Sequence, residues 1–168
     1  MTFHCRCGID ESECEYPNCK PGEWDAAAKN GNKWDQRFLD LASLVATWSK
    51  DSSTQVGSVI VDKRNRVVSL GFNGFPHGVQ DDIPFERDEK LRRVIHSEAN
   101  SILHARGNTE GCRIYVTHPP CARCAALIIQ AGITQVITPP HTSSHFEVRW
   151  ADDIASAQQM FLEAGVKT

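Results

Sequence analysis

The chain has 168 residues, 40% of them apolar, and its 18 lysines and arginines against 21 aspartates and glutamates leave a net charge of −3. That is enough for one ordinary domain with its own core, and it excludes a disordered chain, a fibrous repeat and a miniprotein held by disulfides alone. The mild acidity argues against a binder of nucleic acid polymers, and the apolar runs are too short for a membrane span.

Residues 1–30 read as a cysteine-rich extension with few large aliphatic side chains. Its start, Met1-Thr2-Phe3-His4-Cys5-Arg6-Cys7, has no apolar signal-peptide core, so a cytoplasmic location is expected. Tyr16-Pro17-Asn18 and Lys20-Pro21-Gly22 are turn signals. Residues 31–168 read as the regular domain. Trp34, Phe38, Leu41, Val45 and Trp48 recur at helical spacing and predict a helix over 33–50. The β-branched run from Val56 to Val61 predicts a strand. Asp62-Lys63-Arg64-Asn65 then turns the chain into a second strand, Arg66 to Phe72. Gly71-Phe72-Asn73-Gly74-Phe75-Pro76 breaks into a long loop that runs to about residue 88.

A second helix is expected over 97–106, with Ile95, Ala99, Ile102 and Leu103 as its apolar stripe and Gly107 as its stop. A strand over 113–118, a helix over 121–131 and a strand over 133–138 follow. A last helix over 148–164 places Trp150, Ile154, Ala157, Phe161 and Ala164 on one face. The final three residues are a candidate edge strand. The order α-β-β-α-β-α-β-α predicts an α/β fold: a three-layer α-β-α sandwich around a mixed sheet of four to five strands.

Seven cysteines, an odd number in a chain with no export signal, do not read as a disulfide framework. In a reducing compartment, clustered cysteines more often hold metal. Cys121 and Cys124 stand one helical turn apart behind Pro119-Pro120, which favours a helix start. The macrodipole and free N–H groups there favour thiolates. With His96 they offer one imidazole and two thiolates. Three protein ligands leave a tetrahedral zinc with one open position, the catalytic rather than the structural pattern. Glu98, two residues from His96, can move the proton of an activated water. His-x-Glu with Pro-Cys-x-x-Cys is the zinc deaminase signature.

On these residues the chain resembles a deoxycytidylate (dCMP) deaminase of the cytidine deaminase superfamily, roughly from Trp34 to Val166. His96-Ser97-Glu98-Ala99-Asn100 is similar to the family's His-Ala-Glu-x-Asn. Pro120-Cys121-Ala122-Arg123-Cys124-Ala125, running into Leu127 to Ile133, is similar to its cysteine motif. The Ser49-Lys50-Asp51 segment, and the Gly71 to Pro76 loop followed by Asp81-Asp82, point to the dCMP branch. The resemblance implies the cytidine-deaminase-like fold and hydrolysis of dCMP to dUMP and ammonia, supplying dUMP for dTMP synthesis. It implies that Glu98 protonates N3 and then the leaving amine, and that Asn73 contacts the sugar.

Ser49, Lys50 and Thr54 lie where the family binds phosphate, although Lys50 also suits a solvated helix end. Ser97 and His118 are further candidate pocket residues; a strand-end histidine with a mundane partner is the other reading of His118. The resemblance also implies a hexamer and effector control, with dCTP and Mg²⁺ activating and dTTP inhibiting. The candidate effector residues are Gly71, Phe72, Gly74, Asp81 and Asp82, the two aspartates reading equally as an exposed acidic turn.

Phe72 replaces the family's usual tyrosine, Ser97 its alanine, and Val79 a frequent cysteine. The stretch 139–146 lacks a tyrosine that often borders the site, where His141, His145 or Phe146 are the replacements on offer. Cys5, Cys7, Cys14 and Cys19 are outside the family pattern; they suit a second, closed zinc, or stay free thiols on a loose arm. Cys112 reads as a buried small side chain. Two other functions fit parts of this record. One is a deaminase of another cytosine nucleotide or nucleoside, and the other is a zinc-binding module without catalysis.

Overall fold

The computed structural model describes residues 33–81, 85–140 and 148–168. The four N-terminal cysteines, Asp82, His141, His145 and Phe146 lie outside the described residues. The elements are α1 (Lys33–Ala46), β1 (Gly57–Val61), β2 (Val67–Phe72), α2 (Arg87–Arg93), α3 (Ser97–His104), β3 (Arg113–Val116), α4 (Ala122–Gln130), β4 (Gln135–Ile137) and α5 (Ala151–Ala164). The strands form one sheet in the order β2-β1-β3-β4. β1 runs antiparallel to both neighbours, and β3 and β4 are parallel.

Every residue of β1 is buried, because helices cover both faces of this central strand. Val59 and Val61 face α1, where they pack with Phe38, Ala42 and Tyr115. Ile60 faces the other way, into a core with Ile114, Val116, Ala125, Ile128 and Phe161. Burying one such aliphatic side chain is worth roughly 1.5–3 kcal/mol. Tyr115 keeps its ring 5.1 Å from Phe38 and donates its hydroxyl to Asp35 Oδ1 at 2.6 Å. The result is the three-layer α-β-α sandwich, with α1 on one face and α3, α4 and α5 on the other.

Two glycines let the helices approach. A Cβ on Gly57 would stand 2.1 Å from the Ala42 carbonyl oxygen in α1. A Cβ on Gly71 would stand 2.3 Å from the Ser97 oxygen and 2.4 Å from the Ser101 nitrogen in α3. The sheet therefore sits against helix backbone at both points.

Four expectations need correction. The first helix stops at Ala46 rather than residue 50, because Thr47, Trp48 and Ser49 close onto carbonyls three residues back and turn the chain. The loop expected to run to residue 88 gives way to a helix, α2, whose Arg93 pairs with Glu89 one turn earlier at 2.6 Å. Of the stripe expected on α3, Ile102 packs against the core but Leu103 is exposed, and the fully buried residues are Ser97, Glu98 and Ser101, the small side chains lying against Gly71. The terminal edge strand reduces to a single parallel bridge between Lys167 and Gln135. Among the described residues no helix is long and apolar enough to cross a membrane.

Candidate functional site

The site forms where α3 and α4 begin. His96 is the extended residue before α3, and Cys121 holds the same position before α4. Cys121 is thus the N-cap rather than a member of the first turn, and Cys124 follows inside that turn. The start of α4 is held from α5, where Asp153 accepts from the Ala122 N–H at 3.4 Å.

His96 Nδ1 stands 3.5 Å from Cys121 Sγ and 3.4 Å from Cys124 Sγ. All three donor atoms lie within 4.8 Å of one another. Tetrahedral zinc with ordinary Zn–N and Zn–S bonds separates such nitrogen and sulfur atoms by about 3.6 Å. The charges of the donors agree with the spacing. The Cys124 thiol hydrogen-bonds to Cys121 and, with His96, holds Cys121 far below the usual thiol range. The same bond, together with burial, pushes Cys124 far above that range. The Cys121 hydrogen bond likewise raises His96 against the opposing effect of burial. Soft, paired thiolates with one imidazole fit zinc.

Glu98 is buried one residue into α3, and its Oε2 accepts from the Ser97 hydroxyl at 2.9 Å. Burial raises its carboxyl above the ordinary range. Glu98, Ser97, His96, Cys121 and His118 line one cleft of about 810 Å³, a volume suited to a small ligand. His118 Nδ1 lies 3.1 Å from Thr117 Oγ1, and burial keeps this imidazole toward its neutral form.

The wall of the cleft is built by the 49–56 segment and the loop after β2. Asn73 Oδ1 accepts from the Val56 N–H at 2.8 Å, and its Nδ2 donates to the Thr54 carbonyl at 2.9 Å. Asn73 and Thr54 both line the cleft. Ser49 does not line it: it is buried and donates to the Asn73 carbonyl at 2.7 Å. Lys50 reaches Asp81 at 2.8 Å at the mouth, where its side chain is 80% exposed. Phe72 and Gly74 line the same cleft, Phe72 edge-on to Trp48 at 6.1 Å and Gly74 bridged to Ile95. Gly71 is set against α3 instead.

Sequence reasoning did not single out Lys90, Arg87 and Arg149 in the lining of the cleft, and quoted Asp51 only as part of the resemblance. Lys90 on α2 holds Asp51 Oδ1 at 2.6 Å, and Asp51 closes the turn at Ser53 and Thr54. Burial raises the Asp51 carboxyl, but bonds from Lys90, Ser53 and Thr54 outweigh it and hold the group below the usual carboxylate range. Arg87 and Arg149 also line the cleft and make no ion pair among the described residues. An Asx-turn pattern at Asp51-Ser52-Ser53 and the four-residue acid–base spacing from Glu89 to Arg93 were the available signals.

The family model for the cytidine and deoxycytidylate deaminase zinc-binding region matches residues 32–139, spanning every residue of the triad and Glu98. The chain belongs to this deaminase family. It is similar to a protein of Aliivibrio fischeri named as an uncharacterized deaminase, 52% identical over 137 residues, covering 81% of this chain and 92% of that one. It is 39% identical over 142 residues to the deoxycytidylate deaminase of Homo sapiens, covering 80% of this chain and 77% of the human protein. The dCMP deaminase of cyanophage S-TIM5, solved with dCMP and dUMP, shares the fold at a TM-score of 0.66 and 24% identity, covering 82% of this chain and 98% of that one. This deaminase carries the imidazole, the two sulfurs and the nearby acid at the starts of two helices.

Proposed function

We propose that the protein catalyses the hydrolytic deamination of dCMP to dUMP and ammonia. The observation that carries this reading is the meeting of the His96, Cys121 and Cys124 donors with a buried Glu98 on the floor of one nucleotide-sized cleft. When bound by these three residues, zinc supplies a Lewis acid that brings the pKa of water to about 7. Glu98 takes one proton from the attacking water and delivers it to N3 of the cytosine ring, then takes the proton left on the new C4 hydroxyl and delivers it to the departing amine, which leaves as ammonia. The C4–N bond breaks as C4 becomes a carbonyl. Ser97 orients the Glu98 carboxylate through its 2.9 Å bond. A purely structural metal site has no use for a buried acid beside it, which disfavours the non-catalytic module.

Arg87 and Arg149 support a phosphorylated substrate, since guanidinium groups bind phosphate through charge-assisted, often paired, hydrogen bonds. The named substrate of the human relative supports dCMP in particular. Ultraviolet-monitored turnover of dCMP against deoxycytidine and dCTP tests the reading. Such hydrogen bonds predict kcat/KM on dCMP at least about tenfold above deoxycytidine. An equal or better rate on deoxycytidine overturns the nucleotide reading in favour of a nucleoside deaminase.

Control by dCTP with Mg²⁺ and by dTTP, the hexamer and the cytoplasmic location are supported by the family resemblance. Turnover indifferent to dCTP–Mg²⁺ removes the effector role. The second zinc is supported by four thiols, Cys5, Cys7, Cys14 and Cys19, in a segment poor in apolar side chains. Metal analysis is then expected to find a second zinc per chain, lost when these four are replaced by serine. A single zinc in the intact chain would sink that site.

A further inference from the structure

We propose that three buried serines, Ser58, Ser97 and Ser101, are positioning residues that fix Glu98 from three sides: the peptide group before it, the carbonyl after it and its carboxyl. The inference deepens the deaminase reading and rests on it. Ser58 lies on the central strand β1, Ser97 and Ser101 lie on α3, and all three are fully buried. Ser58 pairs with Gly71 across the sheet, at the point where β2 meets the backbone of α3. Its single hydroxyl hydrogen has two carbonyls in reach, Ser97 at 2.8 Å and Gly71 at 3.4 Å, and the shorter contact takes it. Ser101 Oγ donates to the Glu98 carbonyl at 2.9 Å, and Ser97 Oγ donates to Glu98 Oε2 at 2.9 Å.

A peptide unit is planar. The Ser97 carbonyl that Ser58 holds is therefore in one rigid plane with the Glu98 N–H, and that N–H steadies the residue's own carboxylate. Ser101 holds the next peptide plane. The Glu98 Cα is fixed between two anchored planes, and Ser97 sets the end of its side chain. Packing alone does not ask for these hydroxyls, because alanine fills nearly the same space without burying a polar group. Every one of them has its acceptor on Glu98 or on the peptide bond leading into it. Ser58 reaches across from the sheet, so the acid is referenced to the central strand as well as to its own helix. A proton carrier has to stand within hydrogen-bond reach of the atoms it serves, and a shift of about 1 Å can cost about a hundredfold in rate.

Serine-to-alanine variants, each made with Glu98 intact and again with Glu98→Gln, test this by steady-state and single-turnover deamination of dCMP on zinc-loaded full chain. Ser58→Ala is expected to lower kcat about tenfold while KM stays within about twofold and zinc is retained, because the acid shifts and the cleft does not. In the Glu98→Gln background the same change is expected to cost less than about twofold, since the group it positions is already gone. An equal loss in both backgrounds means that the serine acts on the fold or the metal, and overturns the inference. If Ser58→Ala loses its cooperative melting or its zinc, Ser101→Ala and Ser97→Ala are read through the same cycle. Folded serine variants as fast as an active wild type overturn the inference alone. A zinc-loaded wild type that leaves dCMP, deoxycytidine and dCTP all untouched overturns the functional reading and the inference with it.

Discussion

Replacing Glu98 by glutamine is expected to lower kcat on dCMP by about a thousandfold, within the range of a lost general acid–base, while zinc stays bound. Glutamine keeps the shape and can still accept from Ser97, so the start of α3 and the position of His96 hold. It cannot take up the proton of the attacking water or pass one to N3. Because the carboxyl it replaces is buried, the variant should melt at the wild-type temperature or above. Single-turnover deamination together with metal analysis makes the test. A variant that retains its zinc and works within tenfold of wild type would remove Glu98 from the chemistry.

Gly71→Ala should be the most damaging single methyl group in the described residues near the site. The new carbon would lie 2.3 Å and 2.4 Å from backbone atoms of α3. Neither atom belongs to a flexible side chain, so strand and helix must separate. Overpacking of a well-filled core costs about 1–3 kcal/mol, and a clash with two backbone atoms belongs at the upper end. The helix that moves carries Glu98 and follows directly on His96, so the damage extends to the metal-binding residues. Displacing a supporting contact of a metal ligand lowers affinity by about 10–100-fold. Gly57→Ala is the control. Its clash, 2.1 Å from the Ala42 oxygen, is as severe but falls on α1, which holds no ligand. Both variants should lose stability to denaturant, and only Gly71→Ala should lose zinc more readily to a competing chelator. Equal zinc retention in the two would show that α3 tolerates the shift.

The contrast between these glycines also shows what was legible in the sequence. The triad was, because Pro120-Cys121-Ala122-Arg123-Cys124 and His96-Ser97-Glu98 state a chemistry in their spacing. The central strand was, because Val59-Ile60-Val61 is β-branched and buried on both faces. Gly71 read as part of a nucleotide loop; the need for a glycine there, a helix backbone 26 residues later in the chain at Ser97, could not be read from its neighbours. The inward face of α3 was misread for the same reason. A helix that must lie against a glycine strand buries Ser97, Glu98 and Ser101, which the apolar positions Ile102 and Leu103 do not announce. Ser49 looked like a phosphate contact because a hydroxyl is polar, yet its partner is a carbonyl at residue 73 that spacing cannot reveal. α2 went unseen because its stability comes from Glu89–Arg93 and Lys90–Asp51 pairing rather than apolar periodicity.

The strand order has a consequence for how the protein matures. β1 and β2 are neighbours in sequence and can zip as a hairpin, but β3 must return across more than 40 residues to pair with β1 (Val61 with Arg113). Contacts that close long loops form late and slowly. His96 lies before β3 and Cys121 after it, so the two come within 3.5 Å only once that strand is seated. The full ligand set therefore needs the long-range pairing of β1 with β3 as well as the local helix turn that carries Cys121 and Cys124. A chain in which that strand is not yet paired presents its two thiols without the imidazole, and the donor trio comes into being with the native sheet. Metal capture by all three donors is in that sense a report that this strand pairing has formed.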